Sequence, residues 1–201
     1  MIQVSNFFAL PVFASKLEGF DAHAPELLSR IAKLREAGQG LKASNQGAAF
    51  HTARDFHVAE DSATHWLSAA LLAFGKEALT PLIEPRATRP WELSIVHCWA
   101  ISTSRGGWLT PHSHFPSPWV GVLYLDAEHA VSKNPQDVSG KLELLCPFPL
   151  AETFGVPPSI PISPQDGMAV IFPGALQHLV HPHVAERERV SVSFNLAVRP
   201  R

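Results

Sequence analysis

Cysteine is nearly absent from this 201-residue chain: only Cys98 and Cys146 occur, and neither belongs to a CxxC pair. A disulfide framework is therefore excluded, and a reducing, cytoplasmic setting with buried thiols is expected. Charge is scarce too. Charged residues make up 17% of the chain, and 16 basic against 18 acidic residues leave a net charge of −2 with no basic run. Nucleic-acid and anionic-membrane roles therefore lack electrostatic support. The opening MIQVSNFFALPVF has no basic leader, is broken by Pro11 and is too short to span a membrane, so neither signal nor anchor is expected from it. No internal repeat or low-complexity tract is visible.

What is present points to a globular protein. Hydrophobic residues reach 46%, enough for a core without staples at this length. The length fits one domain, 1–201, with a mostly helical support over 1–90 and a β core over 91–201. Two residue types stand out: 18 prolines, mostly after residue 80, and 11 histidines. Five of the histidines crowd into HSH at 112–114 and HLVHPH at 178–183. Such clusters in a non-basic protein raise the expectation of a metal site.

The early chain reads as helical. Pro25 would open a helix carrying Leu27, Leu28, Ile31 and Leu34 on one face until Gly38. Asp61 would cap a second helix to about Ala78, with Trp66, Leu67, Ala70, Leu71 and Phe74 as its apolar side. Between them, SNQGAAFHTARDF (44–56) reads as loop and short strand. From Trp91 the period becomes two, with Trp91, Leu93, Ile95, His97, Trp99 and Ile101 on one face. Trp119–Leu125, Lys141–Leu145, Met168–Phe172 and Val190–Val198 follow as strands between Gly, Pro, Asn and Asp clusters. Many short strands after a helical start predict a mainly β fold with flanking helices, a jelly-roll type barrel with the N-terminal helices packed on one sheet. In the last strand Arg189, Ser191, Ser193 and Asn195 share one face and Val190, Val192, Phe194 and Leu196 the other. The polar face lines either solvent or a functional interior.

The chemistry concentrates in a few side chains. His112 and His114 are two apart, so on an extended segment both imidazoles share a face and can reach one ion. A pair of ordinary loop histidines has the same spacing. His178, after the turn Pro173–Gly174, is placed to add a third ligand from a distant strand. His181 and His183 compete for that role, but around Pro182 they read better as solvent-facing turn residues. Arg189 opens the last strand. If buried, its guanidinium needs a carboxylate, either from Glu186 or Glu188 or from a ligand. Ser191, two residues on, could donate to the same carboxylate.

In order, HSH, WVGVLYL, DGMAVIFPGALQH and ERVSVSFN resemble a family of 2-oxoglutarate and Fe(II)-dependent oxygenases from bacteria and phages, similar to prolyl-4-hydroxylases. SNQGAAFHTARDF and FFALPVF resemble its N-terminal elements, so the likeness covers most of the chain and is best in 91–198. It implies a double-stranded β-helix and an Fe(II) cofactor held by His112 and His178. It also implies 2-oxoglutarate as cosubstrate, its distal carboxylate on Arg189 with Ser191, and Tyr124 nearby. Tyr124 reads equally well as a core aromatic. The activity implied is hydroxylation of a small molecule or peptide, releasing succinate and CO2, with ascorbate as an outside reductant. A homodimer is compatible with this. One departure matters: the usual triad is two histidines and a carboxylate, yet the position of the acid is His114, and no acid lies between 112 and 119. Shared facing favours His114 as a third ligand. Two other readings exist. GGWLTPHSH and DGMAVIFPGALQH also look like cupin motifs, which would make a metal dioxygenase or isomerase without 2-oxoglutarate; a non-catalytic ligand-binding barrel is the other.

Overall fold

The computed structural model describes residues 9–41, 47–127, 134 and 136–201. Phe7 and Phe8 of FFALPVF, most of the apolar opening, and residues 44–46 of SNQGAAFHTARDF lie outside the described residues.

Helix α1 spans Phe20–Glu36 and buries Phe20, Ala24, Leu27 and Ile31, a helical spacing that leaves one apolar face. It begins five residues before Pro25, not at it. Pro25 therefore lies in the second turn, where it removes one intrahelical hydrogen bond, that to the Asp21 carbonyl, and Gly19 caps the start at φ 76°. Helix α2 spans Ser62–Ile83. As expected, Asp61 caps it, accepting the Thr64 backbone N–H at 2.8 Å, and it also accepts Arg30 Nη1 of α1 at 2.6 Å. One side chain thus starts α2 and ties the helices together. By length and composition alone α2 could cross a membrane. Here Leu67, Leu71 and Leu79 are fully buried, and Lys76 and Glu77 face solvent, the profile of a core helix.

Among the described residues, ten strands form two antiparallel sheets. They are β1 (Phe13–Lys16), β2 (Ala49–His51), β3 (Trp91–Thr103), β4 (Leu109–His112), β5 (Trp119–Asp126), β6 (Leu142–Leu145), β7 (Ser159–Ile162), β8 (Met168–Pro173), β9 (His178–Val180) and β10 (Arg189–Pro200). The larger sheet has the order β1-β8-β5-β10-β3-β2 and the smaller β4-β9-β6-β7. Both helices pack on the outer face of the larger sheet, where Val190, Val192, Phe194 and Leu196 join Leu27, Leu67 and Leu71 in one core. A second core lies between the sheets, around Val120, Leu142, Leu144, Phe172 and Val180. This is the double-stranded β-helix with helices on one sheet.

The alternation of β3 is broken. The register against β10 slips between Asn195↔His97 and Leu196↔Ile95, leaving Val96 as a bulge. A one-residue bulge swaps faces. Trp91, Leu93 and Ile95 therefore turn to the helices, whereas His97, Trp99 and Ile101 turn inward to the cavity. Gly75 of α2 sits over this stretch, where an added Cβ would come within 2.7 Å of Leu93 Cδ2.

Candidate active site

The mouth of the β-helix encloses a cavity of about 410 Å³. Three histidines meet there because of strand register. In the smaller sheet β4 pairs with β9 so that His112 lies opposite His178, with ring centroids 4.3 Å apart. His114 lies just beyond β4, its ring 5.1 Å from that of His178. Gly174 locks the two segments: its carbonyl accepts the His114 backbone N–H at 2.8 Å, and a side chain there would strike the Ser117 carbonyl. One ligand atom from each imidazole lies within 4.8 Å of the others.

Each imidazole is also held in one tautomer. His112 Nδ1 meets the Thr110 carbonyl at 2.7 Å, His178 Nδ1 the Leu176 carbonyl at 3.0 Å, and His114 Nδ1 the Asn195 Oδ1 at 2.8 Å. Each acceptor requires Nδ1–H, which leaves the Nε2 lone pair free for a metal. Asn195 is held in turn by donating Nδ2–H to Ser117 Oγ at 3.1 Å. Burial keeps all three rings neutral. It pushes His112 and His114 down, and it pushes His178 down to about 3 with help from the neighbouring imidazoles. Neutral imidazoles are the form that ligates metal. Asn195 is the residue that sequence reasoning left without a role. It was placed on the polar face of β10, but its bond to His114 crosses between sheets and has no signal in one chain.

At the other end of the cavity lies Arg189, 2% exposed. Its Nη1 donates to the Gly140 carbonyl at 2.7 Å, and its Nε has no partner among the described residues. Neither expected glutamate reaches it. Glu188 is held by Arg35, Ser102 and Ser104, and Glu186 by Arg105. No Asp or Glu lines the cavity among the described residues. Tyr124 stands opposite Ser191 on the adjacent strand, with the Arg189 guanidinium 5.7 Å from its ring centroid, and its buried hydroxyl has no partner among the described residues. Arg189, Ser191, Ser193 and Asn195 all face this interior and not solvent.

His181 and His183 stay outside the cluster. His181 bonds Glu143. His183 corrects the expectation of a solvent-facing turn: it is fully buried, its Nε2 bonded to the Arg187 carbonyl at 2.7 Å, because the 181–187 turn folds back against Gly106 and Gly107. Of the aromatics near the histidine motifs, Trp99 and Phe115 line the cavity. Trp119 packs against Phe13, and Trp108 lies beside Gly47.

Residues 97–195 match a family model described as "Putative 2OG-Fe(II) oxygenase". No curated protein matches the sequence. Among solved structures, a prolyl-4-hydroxylase from Pseudomonas putida superposes with TM-score 0.65 at 18% identity, covering 94% of this chain and 92% of that one. HygX from Streptomyces hygroscopicus, solved with nickel, 2-oxoglutarate and hygromycin B, gives 0.64 at 14% identity, covering 92% and 82%. A Trichoplax adhaerens prolyl hydroxylase in complex with a hypoxia-inducible factor peptide gives 0.60 at 13%, covering 92% and 83%. At these identities the superpositions establish the fold. The family match spans HSH, Tyr124, His178 and Arg189. The chain belongs to the 2-oxoglutarate and Fe(II)-dependent oxygenase family.

Proposed function

We propose that this oxygenase hydroxylates a small molecule or a peptide side chain, with His112, His114 and His178 holding Fe(II) through their Nε2 atoms. In the same reading Arg189 takes the distal carboxylate of 2-oxoglutarate. The observation that carries this is the pairing, in one cavity, of three converging imidazoles with a buried guanidinium that no carboxylate among the described residues neutralises. A buried charge without a counter-ion is costly, so a ligand carboxylate is the partner that makes sense of it. Ser191 and Tyr124 flank the guanidinium and supply hydroxyls for the same group.

Bound Fe(II) would supply oxygen activation coupled to oxidative decarboxylation of 2-oxoglutarate to succinate and CO2. The chain's own residues do the rest. Thr110, Leu176 and Asn195 hold the Nδ1 protons so that the ligand atoms stay aimed. Leu142, Val120, Phe172 and Val180 wall the interior and keep it poor in water. We read 1–201 as one domain, in which the helical first part supports the catalytic β core. Two free thiols, one buried and one half-buried, support a reducing, cytoplasmic setting.

The test is anaerobic calorimetry of 2-oxoglutarate with Fe(II)-loaded protein. Succinate release with iron, ascorbate and oxygen across a panel of acids, amino acids and short peptides then follows. Binding of 2-oxoglutarate with slow uncoupled succinate formation is expected. Absence of 2-oxoglutarate binding to metal-loaded protein refutes the assignment.

A further inference from the structure

The proposal here rests on the site reading above and concerns what the site oxidises. Among the described residues the cavity lining contains two guanidiniums, Arg54 and Arg189, together with His51, His97 and the three clustered histidines, and no carboxylate. Arg189 is deep, and the cosubstrate accounts for it. Arg54 is exposed at the rim, and nothing in the cosubstrate chemistry requires it.

Arg54 is nevertheless a placed group. Its carbonyl accepts the Cys98 backbone N–H at 2.8 Å, and the next residue, Asp55, forms a parallel bridge to Cys98. The backbone is thus pinned to β3 beside the inward-facing His97 and Trp99. The guanidinium carbon lies 5.8 Å from the Trp99 ring centroid. Trp99 is itself clamped between His51 at 5.7 Å and His114 at 5.6 Å, both stacked. Asp55 does not line the cavity, and among the described residues Arg54 has no ion pair with any acid. Phe115 belongs to the same cavity lining and is 82% exposed.

The position of His114 sharpens the point. Where a carboxylate would offset one charge of a divalent ion, this chain has a neutral imidazole. A dianionic cosubstrate with one carboxylate at the metal and the other on Arg189 would leave one positive charge of the ion, and that of Arg54, unbalanced. An incoming anion meets a complementary field there and a guanidinium fork whose geometry suits a carboxylate or phosphate.

We propose that the substrate is a small molecule with one anionic group, a carboxylate or phosphate, bound by Arg54 at the cavity rim, and an apolar body lying against Phe115. The experiment uses protein loaded with Ni(II) and saturated with 2-oxoglutarate, so that Arg189 is already occupied. Binding of 3-phenylpropionate, phenethyl phosphate and the neutral 3-phenylpropionamide is measured by calorimetry on wild type and Arg54→Gln. Wild type should prefer the anions over the amide by about 10- to 100-fold, the range for a hydrogen bond to a charged group. Arg54→Gln should erase that preference while 2-oxoglutarate affinity is retained. Tighter binding of the phosphate or of the carboxylate identifies which anion the rim selects. Equal binding of anions and amide overturns the proposal. So does an anion preference that survives in Arg54→Gln, or no binding of either anion to protein that has bound 2-oxoglutarate. Failure of wild type to bind 2-oxoglutarate at all would instead overturn the site reading beneath it.

Discussion

Replacing Arg189 with Met tests the site most directly, because two opposite effects are expected from one substitution. The guanidinium is 2% exposed and, among the described residues, is bonded to a single carbonyl and faces no acid. Its burial pushes its pKa down, the direction expected for a charge kept from water. In the ligand-free protein it therefore costs stability, and an unbranched apolar side chain of similar length should leave the fold as stable or more stable. In the 2-oxoglutarate complex it would carry a desolvated, charge-assisted pair, and truncating one partner of such a pair costs about 2–5 kcal/mol. That corresponds to a loss of affinity of about 30- to several-thousand-fold. Anaerobic calorimetry with Fe(II)-loaded protein reads the affinity, metal analysis the iron content, and thermal melts with and without 2-oxoglutarate the stability. Iron content and the ligand-free melt should hold, while the upward shift of the melt on adding 2-oxoglutarate disappears. Unchanged 2-oxoglutarate affinity, or collapse of the ligand-free fold, would refute the reasoning and make Arg189 a structural residue.

Three further outcomes are expected. His114→Ala should lower Fe(II) affinity at least tenfold, His114→Asp should retain or strengthen it, and Asn195→Ala should weaken it about 10- to 100-fold by freeing the imidazole; equal iron binding in all of them would place His114 off the metal. The Glu188 carboxyl is held down to about 2, chiefly by Arg35 and then by Ser102 and Ser104. A depressed carboxyl contributes stability above its ordinary value near 4.5 and loses it as pH falls through about 2. Glu188→Gln should therefore cost about 1–2 kcal/mol at neutral pH, after allowance for solvent screening, with the difference from wild type vanishing in acid; a constant difference in denaturation midpoint across pH would contradict the ion-pair origin. Leu71→Ala, at a fully buried position between α2 and the larger sheet, should cost about 2–5 kcal/mol in urea unfolding, and a loss below 1 kcal/mol would mean that α2 is not a core helix.

Much of this was legible in the sequence because it rests on local periodicity and local chemistry. Asp61 before an apolar helical stripe named its own cap, and the alternation in β10 separated a polar from an apolar face before any fold was known. The spacing of His112 and His114 put two imidazoles on one side of an extended segment. What one chain could not show was long-range. Short β4, β7 and β9 carry too few residues for a period, and only pairing with neighbours makes them strands. The bulge at Val96 reverses the faces of β3, and its signal exists only in the register against β10. Whether the polar face of β10 meets solvent or an interior depends on the smaller sheet closing over it. Whether Arg189 meets Glu186, Glu188 or neither was a question of where Arg35 and Arg105 lie in space. Residue type and spacing determined the candidate ligands and their order along the chain; tertiary structure decided which of them converge, because burial and counter-ions are properties of segments brought together from far apart.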